Sequence, residues 1–144
     1  MKVPILSEEG SHIDAWYTPG EVGTITVTTA ACMRLSQWEL EALIAHEIGH
    51  YKLDHVKQLA IFSCVSLPVL LLTPPVFGLE MGLILQAITI AVFAILRLGI
   101  EEEADDYAIL RTSRQALLSV LQAIDSERHW HWELKWRIAR LRRG

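Results

Sequence analysis

Between Leu59 and Leu96 the chain carries a single charged side chain, Glu80. No other feature restricts the fold as much. The run divides around Thr73-Pro74-Pro75, where proline removes helix hydrogen bonds, so the spacing predicts two helical arms, 59–79 and 81–98, joined by a turn. Each arm has about 15–17 strongly apolar residues, or about 25 Å of helix. That falls short of a hydrocarbon core of about 30 Å, and continuation into the flanking helices supplies the rest. Both arms are apolar nearly all round. A chain of 144 residues has little surface with which to cover them. The expectation is therefore a hairpin at 59–98 inserted in lipid, with a buried soluble hairpin as the alternative.

The polar remainder sets other limits. Hydrophobic residues make up 51% and charged residues 21% of the chain, which excludes a disordered polymer. Net charge is −4, so no overall basic field exists to replace phosphate counterions, and nucleic acid is excluded as a partner of the whole protein. Two cysteines, Cys32 and Cys64, cannot form a disulfide framework, and Cys64 reads as a small packing residue in the apolar run. Residues 1–144 read as a single domain. Met1-Lys2-Val3-Pro4 lacks the apolar core of a signal peptide. The turn at 73–82 contains no Lys or Arg, whereas Lys52, Lys57, Arg97, Arg111 and Arg114 flank the hairpin. The positive-inside rule then places the polar part in the cytoplasm, on a cytoplasmic membrane.

Residues 11–22 carry turn signals, and Thr24-Ile25-Thr26-Val27-Thr28 alternates as a strand with one wet face. Ser36 with Glu39 has capping-box spacing and opens a helix over about 37–56, with Leu40, Leu43, Ile44, Ile48 and Tyr51 at helical intervals. Beyond Arg97 two helices are expected, broken near Thr112-Ser113. The basic end holds Trp130, Trp132 and Trp136, suited to headgroup depth or to packing on the domain. The fold class is mainly α with a small β-sheet.

The chemistry lies in His46-Glu47-Ile48-Gly49-His50. On a helix His46 and His50 share one face, so two imidazoles can hold one zinc ion. Glu47 lies about 100° round the axis, poorly placed as a ligand but well placed to touch a water at the metal as general base. One protein ligand is still needed. His55 is one residue off the spacing of a third histidine, Leu53 stands where that arrangement uses glycine, and His55 reads as solvated or structural. The other source is the acidic cluster at 101–106. Glu101 and Asp105 are spaced i,i+4, so one can bind metal while the other orients a histidine. Glu102 and Asp106 have the same spacing, and Glu103 reads as a solvated position.

Ala45-His46-Glu47-Ile48-Gly49-His50, an apolar insert, and Glu101-x-x-Ala104-Asp105-x-x-Ala108 together resemble the M48 metallopeptidases, membrane-embedded gluzincins of the HtpX and Ste24 type. Weaker likenesses are Asp14-Ala15-Trp16, with Asp in place of Asn, and His131-Trp132 through Arg137-Ile138, with Trp132 in place of proline. The whole resembles a minimal catalytic domain with an internal hairpin. The resemblance implies a zincin-like fold, one zinc per chain held by His46, His50 and Glu101, Glu47 as base, and Asp105 behind a ligand. Tyr107, His131 and Arg137 are candidates for contacts to substrate or transition state. The activity implied is a zinc endopeptidase on peptide or protein substrates, with the substrate lying as an added strand along the edge of 24–28. Two rivals remain at this level. One is a non-catalytic membrane or interaction protein that keeps the gluzincin fold, against which the intact Glu47 argues. The other is a soluble peptidase whose hairpin packs on itself.

Overall fold

The computed structural model describes residues 3–20, 23–127 and 132–143. The elements are strands β1 (Ile5–Glu8), β2 (Ala15–Thr18) and β3 (Thr24–Thr28), followed by helices α1 (Thr29–Arg34), α2 (Gln37–Lys52), α3 (His55–Phe77), α4 (Leu79–Arg111), α5 (Arg114–Glu127) and α6 (Trp132–Arg143). They form two compact units, residues 1–53 with 102–144, and residues 54–101.

In the first unit β3 is the centre of a three-stranded sheet. It pairs parallel to β1, Ile5 opposite Ile25, and antiparallel to β2, Ala15 opposite Val27. Two expectations change here. The strand at 24–28 has no free edge, because both sides are hydrogen-bonded, so a peptide cannot be added along it. Nor does it have a wet face: Ile25 and Val27 are buried on one side, Thr26 and Thr28 on the other. Thr28 is paid for by its hydroxyl, which accepts from the backbone of Asp14 and Ala31 and thereby caps α1. The strand β2 lies inside the stretch whose composition signals turns; four residues give too little alternation to read.

Helix α2 begins as its sequence dictates. Ser36 N–H donates to Glu39 Oε2 at 2.8 Å, closing the capping box. The Ser119 hydroxyl of α5 also donates to Glu39. That bond, then those from Ser36, hold the Glu39 carboxyl below its ordinary range. The helix stops at Lys52, short of the expected 56, because Asp54 turns into the left-handed region at φ 54°. Asp tolerates that conformation better than most residues. Helix α2 rests on the sheet, chiefly against β2, where the rings of Tyr17 and Tyr51 are 5.2 Å apart. Helix α5 packs on α2 and α6 on α5. Ile25, Val27, Leu43, Leu117, Val120, Leu121, Leu134 and Ile138 form the shared core.

Glu127, at the end of α5, ties down the segment before β2. Its carboxylate accepts from Ile13 N–H at 2.8 Å and pairs with Arg34. The Ile13 bond, with help from Arg34 and against a desolvation penalty, holds its pKa below the glutamate norm. A depressed native pKa means that the contribution is complete above the unfolded pKa and is lost as pH falls through the native one. Glu127→Gln should therefore cost about 1 kcal/mol at pH 7. The gap to wild type should shrink in denaturant titrations taken down through the carboxylate range. A gap independent of pH would remove this role.

The second unit is the hairpin of α3 and the first part of α4. Both helices are long and apolar enough to cross a membrane, and only 6% of each apolar window is buried. Helix α3 runs straight through Pro68, Pro74 and Pro75, and the chain reverses at Gly78, φ 84°, rather than at the prolines. Its 23 residues span about 35 Å, more than the arm length expected from sequence. The reason is local. Pro74 has no N–H for the Leu70 carbonyl, and Gln86 Nε2 of α4 donates to that carbonyl instead, at 2.9 Å. Gly82 allows the approach, since a Cβ there would lie 2.8 Å from Pro74 Cα. Phe62 and Phe93 stack further along at 5.5 Å. Cys64 is exposed on α3 rather than packed.

Candidate metal centre

His46 and His50 stand on one face of α2, their rings edge to face and their Nε2 atoms 3.1 Å apart. Two nitrogens each about 2.0–2.1 Å from one tetrahedral zinc are separated by roughly 3.3 Å, so the pair is already near ligand spacing. Helix α4 runs without interruption through Glu101 to Asp105 and beyond. One ligand atom each from His46, His50 and Glu101 lies within 4.8 Å of the others. Two imidazoles and a carboxylate are a zinc donor set that leaves a coordination position open.

Behind this set stands Asp105, fully buried. Its Oδ1 is 3.0 Å from His46 Nδ1. With the proton on Nδ1 that bond forms and Nε2 offers its lone pair toward His50, the arrangement in which a carboxylate orients a metal-binding imidazole. Arg137 of α6 holds the other side of the carboxylate. Its Nε donates to Asp105 Oδ2 at 2.8 Å and its Nη2 to Oδ1, a two-pronged contact. Nη2 also lies 3.4 Å from both ring nitrogens of His46, over the ring. Burial alone would raise the Asp105 carboxyl. The hydrogen bonds from His46 and Arg137, with the guanidinium charge, outweigh it and hold the carboxyl below the aspartate norm.

The rival pair of acids is spoken for. Arg140 of α6 binds Glu102 at 2.6 Å and Asp106 at 2.5 Å. The two acidic stripes of α4 are thus sorted by two arginines one turn apart. Asp105 goes to Arg137 and His46, while Glu102 and Asp106 go to Arg140. Glu103 is exposed, as expected. The helices approach closely where side chains are smallest: a Cβ on Gly49 would lie 3.1 Å from Ala104 Cα and 3.2 Å from its carbonyl oxygen.

Of the other residues singled out in the sequence, Glu47 is 8% exposed on α2. His55 opens α3 and is 1% exposed, so it is structural and not solvated. Tyr107 lies with its Cβ against Gly49, and the Arg111 guanidinium sits 5.1 Å from its ring centre. Arg137, a candidate for contacts to substrate or transition state, grips Asp105. His131 and Trp130 lie outside the described residues. The roles of Arg137 and Arg140 depend on partners more than thirty residues away, which no local pattern announces. Their i,i+3 spacing opposite Asp105 and Asp106 was the available signal.

The sequence profile described as Peptidase family M48 matches residues 2–143. No curated protein matches the chain. Among solved structures, the crystal structure of S. mikatae Ste24p superposes with a TM-score of 0.68 at 19% identity, covering 95% of this chain. The chain spans 44% of that solved chain.

Proposed function

The chain belongs to peptidase family M48, and on that premise we propose that it is a membrane-anchored zinc endopeptidase. The observation that carries the reading is the convergence of His46, His50 and Glu101, with Asp105 fixing the tautomer of His46. These three would hold one zinc ion, which when bound supplies a Lewis acid for the scissile carbonyl and makes a neighbouring water more acidic. Glu47 takes the proton of the attacking water on its carboxylate and later gives it to the leaving amine. Arg137 is not free for substrate in this scheme; it keeps Asp105 ionised and in place.

The substrate backbone is proposed to add as a strand to the outer side of β2, which among the described residues ends the sheet order β1-β3-β2 and lies against α2. That replaces the edge of 24–28. Pairing through main-chain groups selects extended, unfolded segments over any particular sequence. The test is zinc analysis joined to cleavage of an unfolded protein. Glu47→Gln is expected to keep one zinc per chain and to lose about 10²–10⁴-fold in kcat. Retained activity, or absence of zinc from the wild type, would overturn the reading.

The hairpin is proposed to cross the bilayer, with both of its ends and the metal centre on the cytoplasmic side. Support comes from the length and exposure of α3 and α4 and from the absence of Lys and Arg at 73–82. In a chain with Cys32 and Cys64 replaced by serine, a cysteine at Pro75 should react with an impermeant reagent from outside intact cells. One near the C-terminus should react only after lysis. Labelling of both from one side would exclude a span.

A further inference from the structure

The first unit carries a surface that the peptidase reading leaves unused. Helix α6 turns two of its arginines inward, Arg137 to Asp105 and Arg140 to Glu102 and Asp106. Its remaining cations face outward. Trp132, Lys135, Ala139, Arg142 and Arg143 are all exposed, Trp132 by 62%. At 100° per residue they fall within one sector about 100° wide. The apolar side of α6, Leu134, Ile138 and Leu141, is buried in the core, and what faces outward is a cluster of cations with one aromatic ring, which suits the anionic surface of a leaflet.

A cleft of about 350 Å³ opens beside this face, between α5 and α6. It is lined by Lys135, Ile138, Ala139 and Arg142 of α6 and by Gln122, Asp125 and Ser126 of α5. A phosphodiester has two cations to meet there, Lys135 and Arg142, and the carbons beside it can rest on Ile138 and Ala139.

We infer that the outer face of α6, with the α5–α6 cleft, is a docking surface for anionic membrane lipid, whose phosphodiester headgroup meets Lys135 and Arg142. The inference rests on the membrane-anchored reading, since the hairpin is what keeps this unit near a bilayer. It adds a lipid-dependent contact that the hairpin does not need.

The test uses the full chain in lipid nanodiscs, with Cys32 and Cys64 replaced by serine. One form carries a fluorophore at Arg143→Cys, on α6 but outside the cleft lining, another at Ile88→Cys on the hairpin. Nitroxide-bearing lipids serve as quencher, in discs of phosphatidylcholine with or without phosphatidylglycerol. The expected result is quenching at residue 88 in both discs and at residue 143 only with phosphatidylglycerol. Quenching at 143 should vanish in high salt and in Lys135→Glu, Arg142→Glu, while Lys135→Arg, Arg142→Lys retains it. Quenching at 143 that is equal in both discs, absent from both, or unaffected by charge reversal overturns the inference while 88 stays quenched. Silence at 88 in every disc overturns the membrane reading itself, and this one with it.

Discussion

Glu101→Ala is expected to abolish stoichiometric zinc, whereas Glu102→Ala is expected to leave it intact. The two residues are neighbours on α4, with the same charge and the same i,i+4 relation to an aspartate. Only their direction differs, by about 100° around the helix. Glu101 shares the ligand cluster with His46 and His50, and Glu102 is held by Arg140 at 2.6 Å. Removing a direct ligand should weaken zinc by more than the roughly 10–100-fold typical of residues that merely support one. Removing Glu102 breaks a half-exposed ion pair, worth about 0–1 kcal/mol of stability and nothing at the metal. Metal analysis after equal dialysis separates the cases. Zinc lost from Glu102→Ala and kept in Glu101→Ala would shift the ligand by one residue and dissolve the pairing with Asp105.

The second large effect concerns a residue that is not itself a proposed ligand, although its guanidinium lies 3.4 Å from the ring nitrogens of His46. Arg137→Met should destabilise the first unit by about 3–5 kcal/mol, because it strands the fully buried carboxylate of Asp105 with one partner where it had two. Arg137→Lys keeps a positive charge but cannot make the two-pronged contact, so it should fall between wild type and Arg137→Met. Zinc affinity should drop with it, since the carboxylate that orients His46 is no longer held. Combining Arg137→Met with Asp105→Asn should cost less stability than the sum of the single changes, because no buried charge is left over. A wild-type denaturation midpoint in Arg137→Met would show that the buried pair contributes nothing.

The sequence was most legible where structure is local. The capping box at Ser36, the helix that it opens, the break at 112–113 and the two apolar arms are written in neighbouring residues, and the structure contains each. Pairing was less legible. That 24–28 lies in the middle of the sheet depends on two four-residue strands, one of them in a stretch rich in turn residues. Boundaries failed where one residue takes an unusual conformation or one side chain repairs a defect. Asp54 ended α2 early, and Gln86 let α3 pass through its prolines. In the candidate metal centre His46 and His50 were legible as a pair because i,i+4 is a helical repeat. The grip of Arg137 on Asp105 was not, because it joins residues 32 positions apart.

Gln86 also bears on whether the two arms of the hairpin can be separated. Taken by itself, α3 is incompletely hydrogen-bonded: the Leu70 carbonyl opposite Pro74 accepts from Gln86 of α4. In hydrocarbon an open carbonyl costs several kcal/mol. On the proposed membrane reading, α3 and α4 would therefore be favoured in lipid as a pair and not singly, and the proline that looks like a break in the sequence would make each helix depend on the other.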